Sequence, residues 1–344
     1  MSYNGNLSGG ICAALQQVAL DVCALNPYTS IGFTQAVWMS GMIERFNPFN
    51  LEFSQIGGER QLQLKYSPRN ADTTPTNTIG NICGGIGTAP TFKSQTIEAN
   101  LKESVAEQFS IEEVRGLCDA DFNVFKQMRL TKMFDALNQK INKSNLAAAW
   151  ALTPYTRDHA SGTVTIDPVS GSPAAVNAYD FYKLRHTLED IGCQETPFII
   201  SGNHDLQIGF SFLKIACCNS GGQMLNSIND QFLYFKDHNM SGLIASTAGL
   251  AFVPGAFRIL PWYRNIGAHE YTSGEVTRSR IVDPRTGMMY DLDTKFDACT
   301  GTYTFQISYN WALWSIPDDF YLSTDPLYQT KGFVKLTISE LVFG

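Results

Sequence analysis

The sequence predicts an α+β chain, and three observations carry that reading. Residues 51–66 alternate apolar and polar side chains about a Gly57-Gly58 pair, which is the pattern of an antiparallel hairpin. Residues 119–149 carry an apolar stripe at steps of three and four, the period of one long helix. From residue 198 onward short apolar runs separated by Gly, Pro and Asn follow one another to the C-terminus, as short strands do.

In chain order, residues 11–25 hold a short helical candidate, with Leu15, Val18, Ala19 and Val22 near helical spacing. The rest of 1–48 is rich in Gly, Asn, Ser and Pro and reads as an arm that takes its shape from what it lies on. In the hairpin, strands are expected at 51–56 and 59–66. Leu62, Leu64 and Tyr66 fall on one face of the second, and Gln61, Gln63 and Lys65 on the other. A lone two-stranded ribbon is marginal in water, so it is expected to lie on its own body or on a neighbour. Residues 70–90 form a Thr, Gly and Pro loop, and 92–99 a strand. The helical pattern covers 101–149. Its stripe of Phe122, Phe125, Arg129, Met133, Leu137 and Ile141 leaves Lys126, Lys132, Lys140 and Lys143 mostly off it. Residues 153–175 are a turn-rich excursion and 179–191 a helix. A strand at 198–200, a helix at 206–218 and a strand at 232–235 follow. An apolar stretch then surrounds Pro254-Gly255, a hairpin turns at Pro284-Arg285-Thr286-Gly287, and strands close the chain at 302–314 and 333–342.

Composition narrows the function classes. Of 344 residues 44% are hydrophobic and 17% charged, against roughly 25% charged in an ordinary soluble protein. With 22 Phe, 14 Tyr and 5 Trp, this suits a surface largely hidden against other chains. The net charge is −7 and no basic block occurs, which argues against a groove that tracks phosphates. The glycines at 80, 84, 85 and 87 match no phosphate-binding signature. The eight cysteines (12, 23, 83, 118, 193, 217, 218 and 299) show no C-x-x-C spacing, so buried free thiols are expected in place of a zinc site. No basic n-region precedes Arg45, and residues 239–257 are too broken by Gly and Pro to span a bilayer. No cofactor, metal or membrane is expected.

Two stretches carry candidate chemistry. Ser201-Gly202-Asn203-His204-Asp205 resembles the Gly-Asn-His-Asp block of calcineurin-like metallophosphoesterases. The other motifs that such a two-metal site needs are missing, and a helix cap at Asn203 or Asp205 is the preferred reading. Asp291 and Asp293 share one face of an expected strand; the pair could hold a cation, but a solvated strand edge is the default. His186 is expected at a helix surface. Neither a nucleophile elbow nor a recognisable triad occurs, and the chain is expected not to be an enzyme.

The ordered set of elements resembles major capsid proteins of tailed bacteriophages. Beyond that order, Gly249-Leu250-Ala251-Phe252-Val253-Pro254-Gly255-Ala256-Phe257 is similar to an apolar Pro-Gly-Ala segment common in that family. Asp283-Pro284-Arg285-Thr286-Gly287 with Tyr290-Asp291-Leu292 resembles its late hairpin, and Asn310-Trp311-Ala312-Leu313-Trp314 with Ile316-Pro317-Asp318-Asp319 its closing strand and turn. The resemblance implies a Hong Kong 97-type capsid fold: an N-terminal arm (1–48), an E-loop hairpin (49–97), a peripheral domain with a long spine helix (98–197), an axial domain of mixed sheet and helices (198–322) and a return to the peripheral domain (323–344). It implies an icosahedral head built from hexamers and pentamers of the chain in the host bacterial cytoplasm. That head would enclose double-stranded DNA without sequence-specific binding and could use separate scaffolding, portal and decoration proteins. The sequence starts at Met1, so any scaffolding is expected from a separate protein. The E-loop residues Gly57, Gly58, Arg60, Leu62, Leu64, Lys65, Tyr66 and Arg69 are expected to meet a neighbouring subunit. An encapsulin-type nanocompartment shell would share the fold, and the metallophosphoesterase reading stays as a remote alternative.

Overall fold

The computed structural model describes residues 32–43, 60–66, 92–110, 119–152, 163–166, 168–169, 172–176, 178–190, 198–203, 232–237, 248–264, 271–273, 276–284, 286–317 and 332–338, with Pro154, Leu206 and Leu243 besides. Three helices and fifteen strands lie in these stretches. The helices are α1 (Gly32–Ile43), α2 (Asp119–Ala151) and α3 (Ala178–Asp190). The expected helix at 11–25, the strand at 51–56, the Gly57-Gly58 turn, Arg69 and the loop at 70–90 lie outside the described residues, as does the expected helix at 206–218 beyond Leu206.

Strand β1 (Gln61–Tyr66) pairs antiparallel with β2 (Lys93–Glu98), Leu62 opposite Ile97 and Leu64 opposite Gln95. The alternation of the second hairpin strand is as expected, and its partner is the strand expected at 92–99. Strand β3 (Leu101–Ser110) corrects the helical reading of 101–149, because its first ten residues are extended. Leu, Lys, Glu and Ala favour helix, and Leu101, Val105 and Phe109 recur at four-residue steps. Pairing with β14 (Thr302–Ser315) over the whole of β3 decides the matter. Tertiary pairing outweighs local propensity there.

Strand β14 organises the larger sheet. Residues 302–308 of it pair with β13 (Met289–Asp297), and 310–315 pair with β10 (Phe257–Trp262). Beyond β13 come β12 (Val276–Val282) and β11 (Tyr271–Ser273). The β12–β13 turn is the expected one: Gly287 sits at φ +73°, which favours glycine, and its N–H reaches the Asp283 carbonyl at 2.8 Å.

The second sheet runs β4–β15–β9–β7–β8, with β4 (Thr163–Ile166), β7 (Phe198–Gly202), β8 (Phe232–Lys236), β9 (Ala248–Phe252) and β15 (Phe333–Ile338). Both β7 and β9 are buried along their whole length. The turn-rich reading of 153–175 is corrected, since β4 lies there, parallel to β15, with the small ribbon of β5 (Pro168–Val169) and β6 (Ser172–Val176) after it. The closing strand thus sits between β4 and β9. Each sheet therefore joins strands from both sides of residue 197.

Helix α1 was not foreseen. Residues 32–43 read as part of an arm, yet Phe33, Ala36 and Val37 are buried in the body. Phe33 packs edge-on against Phe252 and Phe257, at 6.0 and 5.7 Å between ring centroids. The chain crosses from β9 to β10 at Pro254-Gly255, so Phe33 plugs the junction of the two sheets. Gly32 admits no side chain, because a Cβ there would lie 2.1 Å from the Lys236 carbonyl oxygen.

Candidate functional site

The 33 residues of α2 make a helix about 50 Å long at 1.5 Å per residue. Met133, Leu137 and Ile141 of the expected stripe are buried, with Phe134, Leu146 and Ala149. The side chains of Phe122 and Phe125 lie outside the described residues. Arg129 does not join the apolar face; its Nη1 reaches Glu107 Oε2 on β3 at 3.4 Å, across a hollow of about 30 Å³ lined by Phe109, Leu130, Met133 and Phe305.

The same face of α2 buries three asparagines, Asn138, Asn142 and Asn145, at steps of four and three. Asn138 donates to Asp283 Oδ2 at 3.0 Å and accepts from the Tyr290 hydroxyl, which fixes α2 to the β12–β13 hairpin. Asn142 donates to Asp237 Oδ2 at 2.8 Å and accepts from the N–H and hydroxyl of Thr34 at 2.9 and 3.0 Å. Asn145 donates to the Thr34 hydroxyl at 3.1 Å and accepts from Trp311 Nε1 at 2.6 Å. One helix face therefore holds the end of β8, the start of α1, the central strand β14 and the late hairpin. Asp237 completes the start of α1 by accepting from the Phe33 N–H at 2.9 Å. Buried amides with both ends bonded are geometrically exacting and specify one arrangement. The sequence signal was present as asparagines at stripe spacing, but their partners lie 95 to 166 residues away.

On the sheet face away from α2, Asp291 and Asp293 lie on β13 between β12 and β14, which corrects the solvated-edge expectation. Arg264 spans both, with Nε 3.1 Å from Asp291 Oδ2 and Nη1 3.0 Å from Asp293 Oδ2, while its Nη2 donates to Ser308 at 2.8 Å. Arg278 and Arg280 stand opposite the two aspartates in register and approach them at 3.5 and 3.9 Å. Three guanidiniums crowd the pair, which is the wrong field for a cation. Among the described residues no cluster of three His, Cys, Asp or Glu is placed to hold a metal. Asn203 is buried at the end of β7, where its carbonyl accepts from the Tyr234 hydroxyl at 2.6 Å; His204 and Asp205 lie outside the described residues. His186 is exposed on α3 as expected, 3.4 Å from Glu189. Cys299 is exposed in the β13–β14 turn, against the expectation of buried thiols, and the other seven cysteines lie outside the described residues.

Burial raises the Asp291 carboxyl above its ordinary value of 3.8, and Arg264 offsets only part of that rise. The folded chain then holds this proton more tightly than the unfolded chain. Its contribution to stability is fully present at low pH and is lost as pH rises through the raised value. In denaturant unfolding across the carboxylate range, the wild type minus Asp291→Asn difference is expected to fall with rising pH; a rising difference would mean that Arg264 outweighs burial.

The hairpin residues expected at a subunit contact divide in two. Leu64 and Tyr66 are each only 8% exposed within the single chain, and Leu62 is half-buried. Arg60 lies over the Trp262 ring at 4.7 Å, and Gln95 accepts from Trp314 Nε1 at 3.0 Å. The apolar face thus packs on the chain's own β10 and β14, one of the two covers that the alternation left open. Its opposite face is open and polar: Gln61, Gln63, Lys65, Ser94, Thr96 and Glu98 are all exposed.

No known family profile and no curated protein matches the sequence. Solved structures of similar trace include the capsid of Cyanophage P-SCSP1u, at 11% identity and TM-score 0.46 over 83% of this chain and 85% of that one. The capsid asymmetric unit of Cyanophage A-1(L) is similar at 12% identity and TM-score 0.48, over 81% and 88%. The capsid structure of Staphylococcus phage Andhra is similar at 10% identity and TM-score 0.48, over 86% and 84%.

Proposed function

We propose that this chain is a structural shell subunit, the major capsid protein of a tailed phage, which acts by repeating one set of contacts under symmetry and catalyses no reaction. The observation that carries the reading is the order of elements: a hairpin ribbon, a 33-residue helix that ties two sheets, and a closing strand returned between β4 and β9. This is the order that the family resemblance implies. In this reading the arm comes from residues 1–48, less the 32–43 segment that is built into the body as α1, with 49–97 the E-loop, 98–197 and 323–344 the peripheral part and 198–322 the axial part. Copies meet as hexamers and pentamers, assembled in the host cytoplasm into a virion shell around double-stranded DNA, with any scaffolding, portal and decoration proteins supplied separately.

Negative-stain imaging of purified chain is expected to show closed shells, and persistent monomers under all assembly conditions would overturn the reading. DNA content of shells isolated from the host separates a genome head from an encapsulin-type compartment.

Within the ribbon the two faces have separable roles. Lys65→Glu is expected to leave unfolding unchanged within about 0.5 kcal/mol, as exposed substitutions do, and to slow assembly through the polar face. Leu64→Ala is expected to cost about 2–5 kcal/mol of stability, because it empties a buried site. Equilibrium unfolding with light scattering on the same samples checks both.

A further inference from the structure

We propose that the open half of the outer sheet face, centred on Arg278, takes a carboxylate of a second copy of this chain. The inference rests on the shell reading above and names one contact through which copies join.

The outer face of the larger sheet has two halves. The β10 half is covered by the ribbon through Trp262 and Trp314. The other half presents Lys102, Arg264, Arg278, Arg280 and Lys295 against Asp291, Asp293 and Asp297, five cations to three carboxylates among the described residues. Its local excess is two positive charges on a chain of net −7, so a second copy offers acidic surface to a basic face.

The cations are not equivalent. Arg264 spends Nε, Nη1 and Nη2 on Asp291, Asp293 and Ser308. Arg280 donates Nη2 to the Arg264 carbonyl at 2.8 Å and lies over the Tyr263 ring at 5.2 Å. Among the described residues Arg278 makes one ion pair, from Nε to Asp293 Oδ1 at 3.5 Å, too long for a hydrogen bond, and its side chain is 41% exposed. Among the described residues its Nε is buried without a hydrogen-bond partner, so the part-exposed guanidinium has donor capacity unmet within the chain. A planar fork with donors to spare suits a single carboxylate. Val282, on the same strand and face and 52% exposed, adds an apolar rim. A phosphate backbone fits less well, because it needs a row of uncommitted cations, and here Asp291 and Asp293 stand between the guanidiniums.

The test compares wild type, Arg278→Glu and Arg278→Gln by light scattering and negative stain, at low and high salt. Wild-type assembly is expected to slow with salt. Arg278→Glu is expected to reduce the assembly rate at least about tenfold and Arg278→Gln less, with thermal unfolding of both near wild type because Arg264 still holds both aspartates. If the glutamate variant fails to fold, the glutamine variant decides. Shells formed at the wild-type rate by the folded variants would overturn the contact and leave the shell reading intact. Failure of the wild type to assemble would overturn the shell reading, and the contact with it. If the variants lose affinity for a double-stranded DNA fragment while assembly is unchanged, the face binds phosphate and the proposal is wrong.

Discussion

Phe33→Ala is expected to destabilise the chain by about 3–5 kcal/mol, the range for emptying a buried aromatic site. Phe33 is fully buried and contacts a ring from each side of the sheet junction. Phe252 belongs to β9, and Phe257 to β10, where it also packs on Phe333 of β15 at 5.1 Å. Two strands, one from each sheet, lose a partner together, so the cavity has little freedom to collapse. Equilibrium unfolding should show a lower midpoint in a single transition. Loss of the N-terminal helix alone, with both sheets as stable as before, would show that α1 is an accessory. A related outcome follows for truncation: removing residues 1–44 should prevent folding, although the sequence reads as an arm there. An arm in the family sense would then end before residue 32, and 32–43 belongs to the body.

Asn142→Leu is expected to cost about 2–5 kcal/mol, because each buried polar group left without a partner costs roughly 1–3 and a charged one more. Three groups lose a bond, the Thr34 N–H, the Thr34 hydroxyl and the Asp237 carboxylate, of which the carboxylate still accepts from the Phe33 N–H. The leucine fills much of the amide's volume, so packing loss contributes little and the penalty reports the hydrogen bonds. Gln139→Leu, at an exposed position of the same helix, should change stability by less than about 0.5 kcal/mol. Amide exchange offers a second measure. Protection is expected to fall first at the start of α1, whose N–H groups find their acceptors in Asp237 and Asn142. Equal costs for the two leucine variants would remove the ladder from its structural role.

What the sequence determined by itself was periodic or conformational. The stripe on α2 and the alternation of β1 follow from spacing, because burial of one face imposes 3.6 or 2. The late hairpin follows from Gly287, since its positive φ is open to glycine at no cost. Only the tertiary structure decided the rest. Residues 101–110 carry helix formers at a helical spacing, and β14 overrode them by supplying a partner along the whole strand. Residues 32–43 have no acidic group in the first turn, and the side chains that complete that helix start come from positions 142 and 237. Asp291 and Asp293 read as a solvated pair until Arg264, from beyond β10, was brought across them. The ribbon's apolar face likewise gave no sign of its cover, which proved to be the chain's own body. A local pattern states that a face must be buried or a charge paired. The partner is a matter of contacts made across 27 to 219 residues, and those exist once the chain has folded back on itself.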